Sequence, residues 1–382
     1  MPVSASPQAV PSPGSEPVPD PGRSPAAGTA AAPAPAAARP RLRVLDGMRL
    51  LAALMVVVYH YVADRSWGDA DAVFPGLATV APYGWLGVEL FFMISGFVIC
   101  MSAWGRSLGS YVRSRVVRLA PAYWFCVLAT TAGVLLLAGG TEHGLTPSRV
   151  LTNLTMLQDP LKVGAVDGSY WTLWAEARFY LIFAVVAWAG LTWRRVLNFC
   201  WIWTIASLLA PLSGIPLLDT LANPGSSPFF VSGIAFYLIR REGPRYSEPW
   251  FLLGLSWLLA QHQMIATVAA NTHPPHTLSW TVCMAVVSLC YVAMAGVALG
   301  WFDRINWRWL PAAGAVSYPL YLIHQQLGIT VFERLKDEVP AWTLLLSVIA
   351  GAVLLGWLIQ RFVERPGSRL LRRLLDQRPG KV

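Results

Sequence analysis

The sequence predicts an all-α fold, a polytopic membrane protein of about ten transmembrane helices with both termini in the cytoplasm. Three observations carry that expectation. Of the 382 residues, 55% are apolar and 13% charged, where a soluble domain carries about 25% charged residues. Mean hydropathy is +0.50, and apolar runs of roughly the 20 residues needed to span a bilayer return along the chain from Leu42 onward. The 29 Lys and Arg exceed the 20 Asp and Glu, for a formal charge of +9, yet the basic residues sit in short clusters between the apolar runs. That is the pattern of cytoplasmic loops, and it leaves no continuous basic groove for nucleic acid.

Residues 1–40 hold 11 Pro and 11 Ala and no apolar block. They bury too little surface to offset the entropy of ordering, so a disordered tail is expected, and they lack the apolar core of a signal peptide. The membrane domain is expected over 41–365, with spans near 44–63, 84–104, 117–138, 170–191, 196–212, 228–239, 249–267, 279–300, 311–332 and 341–361. The sixth is the shortest. In this register 22 basic residues fall in inner segments, five outside (Arg65, Arg149, Lys162, Arg334, Lys336) and two, Arg49 and Arg178, within spans. A missed or extra helix would invert every later loop. Residues 366–382 then form a basic amphipathic cytoplasmic tail. Leu370, Leu371, Leu374 and Leu375 share one helical face with Arg369, Arg372 and Arg373 elsewhere, which suits a helix lying against membrane lipids of the inner leaflet; a frayed basic tail is the plainer alternative. The five cysteines (Cys100, Cys126, Cys200, Cys283, Cys290) are odd in number and form no C-x-x-C pair. Neither a disulfide framework nor a structural zinc site is indicated.

Ionisable groups inside spans are costly and therefore mark candidate sites. The first span carries Asp46, Arg49 and His60. At about 100° and 1.5 Å per residue, Arg49 and His60 lie on one helical face, about 16 Å apart along the axis. With the expected topology, His60, Glu89, Glu176, Arg178 and His324 fall at similar depth in the outer half of the membrane, where they are expected to face one polar cavity. An imidazole with a carboxylate beside it is what a general base needs, because the carboxylate fixes the tautomer and stabilises the imidazolium. The plainer alternatives are an inward-snorkelling Arg49, a His60 satisfied by a carbonyl, a Glu176–Arg178 ion pair and a hydrogen-bonding strut at Glu89.

Between spans two and three the chain reads Arg106-Ser-Leu-Gly-Ser-Tyr-Val-Arg113-Ser-Arg115-Val-Val-Arg118. Arg115 and Arg118, three residues apart at a helix start, can point at one anion, and forked guanidiniums suit phosphates. An ordinary positive-inside loop remains the other reading. No P-loop, G-x-G-x-x-G, H-E-x-x-H or G-x-S-x-G pattern occurs, so nucleotide hydrolysis, nicotinamide chemistry, zinc proteolysis and serine esterase chemistry find no support. His273-Pro-Pro-His276, without nearby carboxylates, reads as a turn rather than a metal site.

Six segments, in order, resemble the acyltransferase-3 family of integral membrane O-acyltransferases. They are Leu45-Asp-Gly-Met-Arg49 with its ten-residue gap to His60; Gly87-Val-Glu-Leu-Phe-Phe-Met-Ile-Ser-Gly-Phe97; Arg115-x-x-Arg118 ahead of Pro121 and Tyr123; Trp171-Thr-Leu-Trp-Ala-Glu176-Ala-Arg-Phe-Tyr180; Ser317-Tyr-Pro-Leu-Tyr-Leu-Ile-His324; and Val363-Glu-Arg-Pro366. The resemblance implies acyl transfer from cytoplasmic acyl-coenzyme A, acetyl-CoA being the expected form, to a hydroxyl of a sugar, glycolipid, polysaccharide or glycosylated natural product. It implies no permanently bound cofactor. In that picture His60 is the catalytic histidine, Arg49 its partner with Glu176 and Glu89 in support, and Arg115 and Arg118, with Arg113 beside them, hold the phosphates of coenzyme A. Two positions depart from the family pattern: Glu89, where many members have Asp, and Ala177-Arg178, where many carry Glu-Gln. A secondary transporter using midplane charges is the rival reading. The Ala-, Pro-, Gly- and Arg-rich composition fits a high-GC bacterial source and hence the inner or plasma membrane. Oligomeric state, acceptor and acyl chain are left open at this stage.

Overall fold

The structure, a computed structural model, describes residues 42–63, 67, 70–137, 144–272 and 278–376, and every regular element among them is helical. Helix α1 (Arg43–Val58) is extended by a π turn, Tyr59–Ala63; α2 (Ala70–Val73) and α3 (Leu77–Val80) lead through a 3₁₀ turn, Ala81–Leu86, into α4 (Gly87–Ala103). There follow α5 (Leu108–Leu137), α6 (Pro147–Leu154), a 3₁₀ turn Gly168–Tyr170, α7 (Trp171–Ala189), α8 (Trp193–Ser213), α9 (Pro216–Ala222), α10 (Ser227–Glu242), α11 (Ser247–Asn271) and α12 (Trp280–Leu299). The chain continues through α13 (Leu310–Ile323), α14 (Gln325–Leu335), α15 (Ala341–Ile359), a π turn Gln360–Glu364 and α16 (Arg365–Asp376).

Among the described residues, eight helical segments are long and apolar enough to cross a membrane: Arg43–Ala63, Leu77–Ala103, Leu108–Leu137, Gly168–Ala189, Trp193–Ser213, Ser247–Ala270, Trp280–Leu299 and Ala341–Asp376. Each coincides with an expected span. The two other expected spans fall on α10 and on the shorter apolar helix α13. Each residue of helix α10 from Ser227 to Ile239 is buried, as expected of a helix at the centre of a bundle. It crosses α4 closely. A methyl group on Gly233 would lie 2.0 Å from the Met93 carbonyl oxygen, and one on Gly96 would lie 2.2 Å from that of Phe230, so the two backbones meet at small residues, as packed membrane helices do.

Two boundaries near the site differ from the sequence reading. Helix α5 starts at Leu108 rather than 117, because the Ser107 hydroxyl accepts the Ser110 N–H (3.4 Å) and caps a polar, arginine-bearing first section. Pro121 inside α5 has no N–H for the Val117 carbonyl four residues back. The Ser368 hydroxyl of α16 donates to that carbonyl instead (2.8 Å), and Gly367 allows the approach, since a methyl there would meet Pro121 at 2.8 Å. With Arg113 bonded to Asp376, α16 is thus tied along the start of α5. Its Leu370, Leu374 and Leu375 remain exposed.

The ninth span, expected as one run over 311–332, breaks at His324 between α13 and α14. Unpaired backbone carbonyls are expensive away from water, and side chains satisfy them here. Ser169 Oγ lies 3.3 Å from the Tyr321 carbonyl, Tyr170 donates to Leu322 (3.2 Å), and Tyr61 donates to His324 (2.8 Å). Gly328 lets Tyr61 come close. On the far side of the break the Asp167 carboxylate accepts the Gln326 N–H (2.9 Å) and caps α14.

Candidate active site

Helices α1, α4, α5, α7 and α13 line a narrow, partly open cavity of about 80 Å³. Arg49 of α1, Arg115 and Arg118 of α5 and Glu176 of α7 all line it, so four sequence candidates from three distant segments meet. Helix α4 contributes Val88, Phe91, Phe92, Ser95 and Ile99, the 3- and 4-residue spacing of one helical face. Glu176 Oε1 accepts the Ser95 hydroxyl at 2.7 Å and the Tyr180 hydroxyl of its own helix. Arg115 is oriented by Ser102 (Nη2 to Oγ, 3.1 Å) and Ser114 (Nε to Oγ, 3.3 Å). Asp46, Glu176 and Arg118 are among the charged groups that act on Arg49. Three guanidiniums against one lining carboxylate make this a site for a polyanion, and the forks are suited to phosphate oxygens.

His60 stands outside that lining, on the π turn that ends α1; such turns recur at functional sites. Its ring lies 5.3 Å, centroid to centroid, from that of His324. Two rings that line the cavity, Phe91 and Tyr321, meet edge to face at 5.6 Å, and the Tyr321 ring is 5.6 Å from that of His324.

The remaining candidates fall elsewhere. Glu89 is buried one residue away from the lining face of α4, with Cys290 and Tyr291 of α12 among its neighbours. Arg113 is paired with Asp376 rather than turned into the cavity. Arg178 does not pair with Glu176; its Nη1 donates to the Thr220 carbonyl (2.9 Å) and its guanidinium lies over Trp174. All five cysteines are buried and unbridged. Among the described residues no cluster of three or more potential metal ligands occurs, and His273 and His276 lie outside those residues.

The sequence reading missed Asp167. This fully buried carboxylate accepts the Ser169 N–H (2.9 Å) and hydroxyl (2.6 Å) on one oxygen and the Gln326 N–H on the other. It is also close enough to His60 to feel its charge. Burial raises its pKa, while the bonds from Ser169 and Gln326 and the field of His60 act in the opposite direction. The signal was present: an Asp two residues ahead of a Ser, just before an apolar run, is a helix N-cap pattern.

The fold and site together define a polytopic membrane protein holding an arginine-walled cavity beside a histidine pair. The chain belongs to the acyltransferase-3 family, whose acyltransferase-domain profile matches residues 42–361; it is therefore a multi-pass membrane acyltransferase. It is similar to the acyltransferase MdmB of Streptomyces mycarofaciens, with 26% identity over 377 residues, covering 87% of this chain and 93% of that protein. It is also similar to nodulation protein 10 of Rhizobium leguminosarum bv. viciae, with 26% identity over 363 residues, 87% of this chain and 95% of that one. A putative peptidoglycan O-acetyltransferase, YrhL of Bacillus subtilis, is 22% identical over 370 residues, 84% of this chain but 54% of its own length. No solved structure matches.

Proposed function

We propose that the protein transfers an acyl group, acetyl in the simplest case, from acyl-coenzyme A to a hydroxyl of a glycan or glycosylated acceptor. The observation that carries this reading is the convergence of Arg49, Arg115 and Arg118 on one cavity, one of whose lining rings, Tyr321, lies 5.6 Å from that of His324. Coenzyme A has phosphates at one end and a thioester at the other, joined by a long flexible arm, which is the shape such a site asks for. The phosphates dock on the guanidiniums, Glu176 keeps Ser95 and Tyr180 in place, and the arm runs toward Phe91 and Tyr321. Movement of those rings lets the thioester reach His60.

His60 then acts as general base. It takes the proton of the acceptor hydroxyl as that oxygen bonds to the acyl carbon; the carbon–sulfur bond breaks, and the proton passes from the imidazolium to the departing thiolate. The glycan acceptor is the reading favoured by the similarity to the putative peptidoglycan O-acetyltransferase YrhL. Membership of an acyltransferase family favours this enzyme reading over the transporter.

The test is purified protein in lipid nanodiscs with radiolabelled acetyl-CoA and a panel of glycosides. Label moving to a glycoside hydroxyl with stoichiometric release of free coenzyme A is the expected result. Label transfer from a donor lacking coenzyme A, with none from acetyl-CoA, overturns the donor assignment.

A further inference from the structure

The histidine pair contains one imidazole whose protonation pattern is fixed by its surroundings. His324 Nδ1 lies 2.8 Å from the Tyr321 carbonyl oxygen. A carbonyl only accepts, so Nδ1 carries the hydrogen and, in the neutral ring, Nε2 is a bare acceptor. The His324 side chain is 1% exposed, and Nε2 is buried without a hydrogen-bond partner among the described residues. A buried acceptor left unpaired is costly, and each such group in a native structure needs an explanation. The backbone explains why His324 sits there, at the break held by Tyr61, Ser169 and Tyr170, but nothing in that framework uses Nε2.

The neighbouring imidazole is that of His60. The centroid separation of 5.3 Å is what one hydrogen bond of about 2.9 Å between nitrogens, plus a ring radius at each end, spans. The rings are tilted by 48°, and His60, on the π turn, is only half-buried, so a rotation of its side chain closes the contact.

We propose that His324 is a positioning residue for the catalytic base: its Nε2 accepts the N–H of His60, in a relay that runs from the Tyr321 carbonyl through His324 to His60. This rests on the reading of His60 as the base. The relay fixes the His60 tautomer, leaving its other nitrogen bare and aimed at the acceptor hydroxyl, and it stabilises the imidazolium formed when that proton is taken. A carboxylate does this in serine hydrolases; here a neutral imidazole anchored on a backbone carbonyl does it, without adding a charge inside the membrane. Tyr321 also links the two halves of the site, since its ring lines the donor cavity and its carbonyl anchors the relay.

Side-chain geometry provides the test. The amide of Asn overlays the Nδ1 position of His and can keep the bond to Tyr321, whereas the amide of Gln reaches the Nε2 position and can accept from His60. His324→Asn is expected to lower kcat by about 10- to 100-fold, the loss typical of removing the hydrogen-bond partner of a metal-bound histidine, with the KM for acyl-CoA unchanged. His324→Gln is expected to recover a substantial part of that loss. A purely structural His324 gives the reverse order, with Asn near wild type and Gln impaired, and that order overturns the proposal. Should His324→Asn fail to accumulate in the membrane, ¹⁵N-histidine spectra of the folded wild type and of His60→Ala decide. A His324 Nε2 resonance that shifts when His60 is removed supports the relay, and an unmoved one refutes it. His60→Gln, assayed in parallel, separates the two readings. If it is active, the base assignment falls; if it is inactive while His324→Asn is normal, only the relay does.

Discussion

Replacing Arg115 and Arg118 by Gln removes two of the three guanidiniums that line the cavity and leaves Arg49. A charge-assisted contact to phosphate is worth about 1.5–3 kcal/mol, so each single variant should raise the KM for acyl-CoA by roughly 10- to 150-fold. The double variant should fall short of the product, because the two side chains serve one ligand. The neighbouring arginine supplies the control. Arg113 carries the same charge in the same helix but is spent on Asp376, so Arg113→Gln should leave the KM within about twofold while costing a fraction of a kcal/mol in stability, as exposed ion pairs do. The assay is initial rate against donor concentration in nanodiscs, at two salt concentrations. A KM raised equally by all three single variants would mean that the arginines act only as a diffuse positive surface, and the cavity assignment would be refuted.

His60→Gln should lower kcat by a factor of about 100 to 10,000 with near-normal donor binding, the usual contribution of a general base; retention of more than about a tenth of the wild-type rate would contradict that role. Ser368→Ala removes the donor to the Val117 carbonyl and should cost about 1–2 kcal/mol, read as a lower Tm, with little change in donor KM. Gly233→Ala places a methyl against the Met93 carbonyl and should sharply reduce folded protein in the membrane, whereas Gly109→Ala, with nothing within 4 Å of the added methyl, should not. Reporter fusions after Arg195 and Arg308 should read cytoplasm, and fusions near Gly144 and Asp337 the opposite side; a reversed pattern refutes the expected orientation.

The spans were legible because a stretch such as Ala341–Ile359 has one stable fate, a helix, once it is apolar throughout. The break at His324 was not, since the residues on either side read as one run and the groups that satisfy the opened carbonyls, Ser169, Tyr170 and Tyr61, come from segments far away in sequence. Titratable residues inside spans could be found, but not the way they point. Glu89 and Val88 are adjacent in sequence and about 100° apart around α4, which is enough to place one on the cavity and the other against α12. Asp167, from the loop ahead of α7, is the carboxylate that feels the charge of His60, while Glu176 lines the cavity with the arginines. Polarity alone marks where a site is expensive, and only packing decides which polar groups share it.

The attachment of α16 to α5 has a practical side. The Ser368 hydroxyl holds the carbonyl immediately preceding Arg118 in the chain, and Gly367 rests on the proline three residues beyond that arginine. A purification handle or reporter fused after α16 therefore pulls on the segment that presents Arg118 to the donor. Kinetic comparisons are better made with the handle ahead of Leu42. A C-terminal fusion that weakens donor binding would then be a mechanical reading of the same joint, and immobilising the protein by one end or the other would measure how much slack it has.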